Sequence, residues 1–380
     1  MILIIADYYL PGYKGGGPIR TIANTVEWLG DEFDFYILTG DRDFKDTEPY
    51  PDIRYGEWVT VGKAKVRYLS PKERGILSLS SIIQKLQPDL IYLNSFFAPM
   101  CVKTMWGRFL GRISRKIPVL IAPRNEFFAA SLRLKRWKKR PYLYISRLLA
   151  IYHHITWQAT TPFEQTTIAK QFNHANVYIA CDLSTKELPQ INVHHPKSDP
   201  IRLVYISRID RKKNLIYALK LLKNIDSPVV FDIYGPREDL IYWQECETLI
   251  QSLPPHIHVC YQRELTHKEV LSTFQEYDAF LFPTQGENFG HIIWEALYAG
   301  CLPIISDNTP WDNVAGWTIS LDNPQGFIAA LHELIAMSQV EYTERQNRAH
   351  QEAIQQAHDP HTLEANRQMF QSLLQQKSKG

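Results

Sequence analysis

The sequence predicts an α/β protein of two doubly wound domains, each a parallel sheet with helices on both faces. Three observations lead there. Apolar runs of strand length alternate with stretches of helical period, the mark of βαβ units. The alternation stops near residue 190 and restarts after residue 200. A length of 380 residues is too great for one ordinary core and suits two.

Residues 1–6 (MILIIA) read as the first strand, followed by a glycine-rich loop and a helix from about residue 19 to 29. Residues 33–38 give a second strand, and residues 89–94 and 119–122 two more, each entered through a proline (Pro88, Pro118). The stretch 188–200 carries Pro189, Pro196 and Pro200 with no apolar period, so it reads as a linker. Beyond it, residues 202–206, 229–234, 258–261, 279–282 and 302–306 read as buried strands, with helices over 215–222 and 267–274. The tail from about residue 340 to 379, rich in Gln, Glu and Ala, reads as helix. The expected domains are 1–190 and 191–355, with a helix over 356–380 that can cross back to the first. Doubly wound sheets bind ligands at the carboxyl ends of their strands, so a cleft between two such ends is expected.

Composition narrows the class. Apolar residues make up 45% and charged residues 22%, as in globular proteins. The opening apolar run stops at Asp7 with no basic leader before it, and no run of about 18 uncharged apolar residues occurs. A cytoplasmic protein is expected, with peripheral association at the inner face of the membrane left open. Five scattered cysteines (Cys101, Cys181, Cys246, Cys260, Cys301) form no C-x-x-C pair, which argues against a zinc site or a disulfide framework. The histidine pairs His153-His154 and His194-His195 lack helical ligand spacing. Charge is split along the chain. Residues 1–190 hold 26 basic and 17 acidic side chains, the remainder 16 and 23. Such a split points the first half at an anionic partner.

The most informative stretch is 282–296, where a strand ends, a glycine-containing loop follows, and a helix begins near Gly290. A helix start offers free backbone N–H groups to an anion. Glu287 in the loop and Glu295 in the helix can both reach one site, where carboxylates accept hydrogen bonds from sugar hydroxyls. A second segment, 207–215 (SRIDRKKNL), follows a strand and opens a helix, placing Arg208 and Lys213 five apart. Two such cations suit an anionic ligand.

The E-N-F-G-H-I-I-W-E-A segment, followed by A-G-C-L-P, resembles the signature of glycosyltransferase family 4, whose members are retaining, metal-independent enzymes of the GT-B fold. The resemblance implies that Glu287 contacts donor-sugar hydroxyls and Glu295 the nucleotide ribose. It implies also that the backbone of Gly290, His291 and Ile292 meets the diphosphate, with Asn288 and Phe289 in the same donor loop. Arg208 and Lys213 match the family's G-R-x4-K element, with Ser207 in place of the first glycine. The implied donor is a UDP- or GDP-sugar, with no cofactor and no metal ligand. Asp41-Arg42-Asp43 fits a metal-binding D-x-D pattern by letters alone and is discounted.

In the first half, Gly15-Gly16-Gly17 lies where the family has its Gly-Gly loop, and Gly16 and Gly17 are expected at the donor, with Arg20 beside the acceptor. The A-P-R-N-E run at 122–126 resembles the A-P-R-G-E element of a subgroup that builds surface polysaccharide and lipopolysaccharide. It makes Arg124 and Glu126 acceptor-side candidates, as is Asn94, which stands where relatives often carry His. Residues 307–311 (DNTPW) resemble the same subgroup and read equally as a donor-pocket wall or a plain turn. Arg133, Lys135, Arg136, Lys138, Lys139 and Arg140, mixed with Trp137 and Tyr144, suit an anionic membrane surface, and residues 103–116 add Arg108, Arg112 and Arg115. No nucleic-acid module is recognisable, so no nucleic-acid partner is expected. The resulting expectation is sugar transfer to a glycan or lipid-linked acceptor. A nucleotide-sugar epimerase and a non-catalytic sugar-nucleotide binder are the alternatives.

Overall fold

A computed structural model describes residues 1–51, 53–133, 136–173, 175–312 and 314–377. The chain divides into two compact units, one of Met1–Lys186 with Asp359–Gly380, the other of Glu187–His358.

The first unit holds strands β1 (Ile2–Ile5), β2 (Phe35–Gly40), β3 (Val59–Val61), β4 (Ala64–Leu69), β5 (Leu90–Leu93), β6 (Val119–Ile121), β7 (Thr156–Ala159) and β8 (Asn176–Ile179). Their order is β3-β4-β2-β1-β5-β6-β7-β8, parallel throughout except β3 against β4. All four residues of β1 are fully buried, which suits a central parallel strand covered on both faces. Ile2 stands opposite Phe35 on one side and Leu90 on the other. The chain leaves β1 toward β2 and later returns on its other side as β5. The carboxyl end of β1 is therefore a topological switch point.

The second unit holds β9 (Ile201–Ile206), β10 (Val229–Tyr234), β11 (Ile257–Tyr261), β12 (Ala279–Phe282), β13 (Leu302–Ser306) and β14 (Trp317–Ile319). The order is β11-β10-β9-β12-β13-β14, all parallel, with the switch between β9 and β12.

The tail is two helices, not one. Gln339–Ala357 ends before Asp359-Pro360, because proline supplies no N–H for an interior turn. The Asp359 carboxylate then accepts the Thr362 N–H and hydroxyl, opening Pro360–Lys377. The earlier helix stays with the second unit, where Trp294 donates its indole N–H to the Ala353 carbonyl. The later helix belongs to the first, where Phe370 packs against Phe33, Phe35 and Tyr92.

The proline-rich stretch near 190–200 is pinned to the second unit. The Pro189 carbonyl accepts the Tyr298 hydroxyl, the Ser198 N–H donates to Asp278, and Lys197 donates to the Ile335 carbonyl at a helix end.

Candidate functional site

In the second unit, the loops leaving β9 and β12 lie side by side at the switch point. They are joined by the Gln285 N–H on the Lys212 carbonyl at 2.8 Å and the Asn214 amide on the Pro283 carbonyl at 2.9 Å. This pairing brings together residues 74 apart, setting the Lys213 ammonium on Glu287 Oε1. Thr284 donates its hydroxyl to the same oxygen at 3.2 Å. Both charged side chains keep only about a tenth of their exposure, 11% and 12%. Burial pushes the Glu287 carboxyl up, but Lys213, Lys212 and the two hydrogen bonds outweigh it and hold the group below the usual glutamate value.

Lys212, which the motif reading passed over, adds charge here. Burial and the neighbouring Lys213 push its ammonium down, and it lies within electrostatic reach of Arg208, Glu287 and Asp210. Arg208 itself sits 3.7 Å from Glu238. Two cations thus act on Glu287 and Arg208 acts on Lys212 beside them, an arrangement suited to added negative charge.

Gly290 opens the eight-residue helix His291–Tyr298 with φ 79° and ψ 55°, a left-handed geometry that favours glycine. Gly290 itself has no side chain with which to cap that helix start. The loop before it is braced from behind. Asn308 accepts the Glu287 N–H on its carbonyl, and Trp311 donates its indole N–H to the Phe289 carbonyl. Residues 307–311 therefore support the loop through Asn308 and Trp311. The Phe289 ring is buried against Trp311 and His291, so only its backbone can serve a ligand. Asn288 precedes it, and Ile292 is half-buried on the first turn. Glu295 is buried deeper in the helix, with His267 Nδ1 3.5 Å from its Oε1.

In the first unit, Gly16 adopts φ 73° and ψ −145°, and the helix Gly17–Leu29 begins without a side-chain cap. Arg20 is half-buried on that helix. The Asp43 carboxylate accepts the N–H groups of Tyr13 and Lys14, fixing the loop, while Asp41 pairs with Arg42 and Arg74. Both acids of the D-x-D letters are thus engaged within the protein.

Three of the acceptor-side candidates, Asn94, Arg124 and Glu126, are hydrogen-bonded within the first unit. Arg124 donates to Asn94 Oδ1 at 2.7 Å, to the Tyr92 hydroxyl at 2.6 Å and to Asp182. Asn94 in turn donates to the Pro18 carbonyl. Glu126 accepts from the Ser95 hydroxyl and the N–H groups of Phe96 and Phe97. These side chains brace the strand ends to one another. Asn125 replaces the subgroup's glycine without conflict, because φ is 58° and asparagine tolerates that region. Its N–H is taken by Glu164. A residue with no signal in the sequence also lies at a strand end here. Asp7, two residues past β1 at the switch point, accepts the Met100 N–H on Oδ1, and burial pushes its carboxyl up despite Arg74 and Lys103.

The basic region is sorted likewise. Trp137, Tyr144 and Leu148 stand about 70% exposed on the helix Arg136–Leu148, beside exposed Arg136, Lys138 and Arg140, with exposed Arg133 just before it. Lys139 turns inward, donating to the Ser131 carbonyl and lying over the Phe97 ring. Lys135 falls outside the described residues. Arg108 is buried, capping the carbonyls of Ser114, Arg115 and Ile117, with burial pushing its guanidinium down to about 10. It is a structural cation, not part of a surface patch.

Known proteins share this architecture. HepE of Anabaena, solved with UDP and glucose, superposes with a TM-score of 0.69 over 98% of each chain at 14% identity. Sucrose-phosphate synthase of Thermosynechococcus elongatus gives 0.73 over 98% of this chain and 99% of that one, also at 14%. The fold is GT-B, two Rossmann-like domains of parallel sheet. Residues 188–356 match the family model for glycosyl transferases group 1, and this segment holds Arg208, Lys213, Glu287 and Glu295. The chain is a glycosyltransferase. In sequence it is 27% identical over 311 residues to an uncharacterised 41.2 kDa protein in the cps region of Klebsiella pneumoniae, covering 77% of this chain and 78% of that protein. It is 28% identical over 127 residues to human alpha-1,3/1,6-mannosyltransferase ALG2, covering 30% of each. Among the described residues, no helix is long and apolar enough to cross a membrane.

Proposed function

We propose that the enzyme transfers a sugar, with retention and without a metal ion, from a UDP- or GDP-sugar to a glycan or lipid-linked acceptor in cell-surface polysaccharide assembly. The observation that carries this reading is the pairing of Glu287 with Lys213 beside Lys212, in the unit whose helix start at Gly290 follows the same loop. The donor diphosphate would lie on that helix start, where Arg208, Lys212 and Lys213 stabilise the charge that develops on it. Glu287 would accept hydrogen bonds from the sugar, and Glu295 from the ribose. The acceptor oxygen bonds to the anomeric carbon on the face from which the nucleotide departs. The carbon–phosphate-oxygen bond breaks as the acceptor proton passes to the leaving phosphate oxygen, so both partners stay balanced. The donor assignment is supported by the UDP and glucose held by HepE, and the pathway by the cps-region relative.

Glu287→Gln tests the assignment: transfer should fall at least about a hundredfold with the fold unchanged. Normal turnover would refute the role of Glu287. Sugar release from the donor with no acceptor present would favour an epimerase instead.

A lipid-linked acceptor implies work at a membrane, and the exposed Trp137, Tyr144 and Leu148 among arginines and lysines support docking on anionic lipid. Binding to phosphatidylglycerol vesicles should weaken as salt rises; no binding at low salt would remove this part of the proposal.

A further inference from the structure

A cavity of about 360 Å³ opens on the first unit, lined by none of the candidate site residues. Its walls are Arg67 from β4, Trp58 just before β3, and one face of the helix Ile76–Leu86. Ser78, Ser81 and Lys85 fall on that face because their spacing is three and four residues. No acidic residue lines it.

The half-buried Arg67 is what needs explaining. Arg67 Nε is buried with no hydrogen-bond partner. Among the described residues, neither the Arg67 guanidinium nor the Lys85 ammonium forms an ion pair. Lys85 is exposed to solvent, whereas the buried Arg124 and Arg108 of the same unit both donate to protein oxygens. A guanidinium donor left unpaired in a wall costs free energy unless something in the cavity accepts from it. Trp58, half-buried and packed edge-on to Tyr36 at 5.0 Å, adds an aromatic surface on which a sugar ring can lie.

The geometry points to a binding site for an anionic saccharide, its carboxylate or phosphate held by Arg67 and Lys85 and its hydroxyls by Ser78 and Ser81, with the ring against Trp58. The choice of a saccharide as carrier rests on the glycosyl-transfer reading; the anion site itself does not. Such a pocket would hold a charged part of the acceptor or product chain apart from the donor site.

The test uses the full-length chain labelled with 5-fluorotryptophan, the Trp58 resonance being assigned by its loss in Trp58→Phe. Glucuronate should shift that resonance saturably while glucose at the same concentration does not. Arg67→Gln should weaken glucuronate at least about tenfold, the scale of one charge-assisted hydrogen bond. Lys85→Gln, a change at an exposed position, should weaken it severalfold with the fold intact. Glu287→Gln should bind glucuronate like the parent, which separates this site from the transfer reaction. No shift with glucuronate, an equal shift with glucose, or unchanged binding in both variants would overturn the proposal. Inorganic phosphate binding without glucuronate would overturn the saccharide assignment.

Discussion

Replacing Lys213 with methionine removes the cation from a nearly buried pair and leaves its carboxylate in place. Breaking such a pair from one side costs about 3–5 kcal/mol. Both partners keep a tenth of their exposure and Lys212 stays nearby, which places the cost at the lower end, about 3 kcal/mol. In a unit of this size 1 kcal/mol corresponds to about 2–4 °C, so the melting transition should fall by about 6–12 °C. The effect should also depend on pH. In the parent, Glu287 is held below its ordinary value of 4.5. Its stabilising share is therefore complete above that value and is lost as pH falls through the lower folded value. In Lys213→Met, burial becomes the larger influence and the sign reverses, so ionised Glu287 costs stability as pH rises. The gap between parent and variant should be wide at neutral pH and shrink toward about pH 4. Adding Glu287→Gln should recover at least about 1.5 kcal/mol relative to the sum of the single changes. Calorimetry of the four proteins across this pH range reads all three effects. A gap independent of pH, or strict additivity, would refute the pairing.

Two further outcomes follow from geometry at other points. Gly290→Ala places a Cβ at φ 79° and 3.0 Å from Ile293 Cδ1, costing about 1 kcal/mol or more and weakening nucleoside diphosphate binding about fivefold by calorimetric titration; unchanged affinity would detach the helix start from the donor. Arg124→Met leaves Asp182, 2% exposed, without its cation and should lower the melting point by several degrees; unchanged stability with a raised KM for acceptor would make Arg124 an acceptor contact and not a brace.

The strands carrying both switch points were legible because β1, β9 and β12 are nearly continuous apolar runs. Those missed were masked by their polar residues. β4 alternates Lys65 and Arg67 with buried neighbours, and β7 contains Gln158, buried yet satisfied by Tyr92 and the Ala180 carbonyl. The Glu287 and Lys213 partnership could be anticipated from motif spacing, since each motif ends a strand at the same switch point. Arg124 and Glu126 could not be sorted that way. Whether a charged side chain faces a ligand or internal partners depends on Asp182, which accepts from Arg124, and on Ser95 and Phe96, which donate to Glu126, and no local pattern ties these residues together. Lys212 and Asp7 escaped for the opposite reason, being ordinary letters made special by burial.

The central claim is a diphosphate site built by Arg208, Lys212, Lys213 and the helix start at Gly290. Its most direct test is titration of UDP and GDP into the parent and into Arg208→Gln, in the presence of EDTA. One nucleotide should bind the parent with EDTA present and bind Arg208→Gln at least about tenfold more weakly. Binding that requires a divalent ion, or that is indifferent to Arg208, would contradict the account.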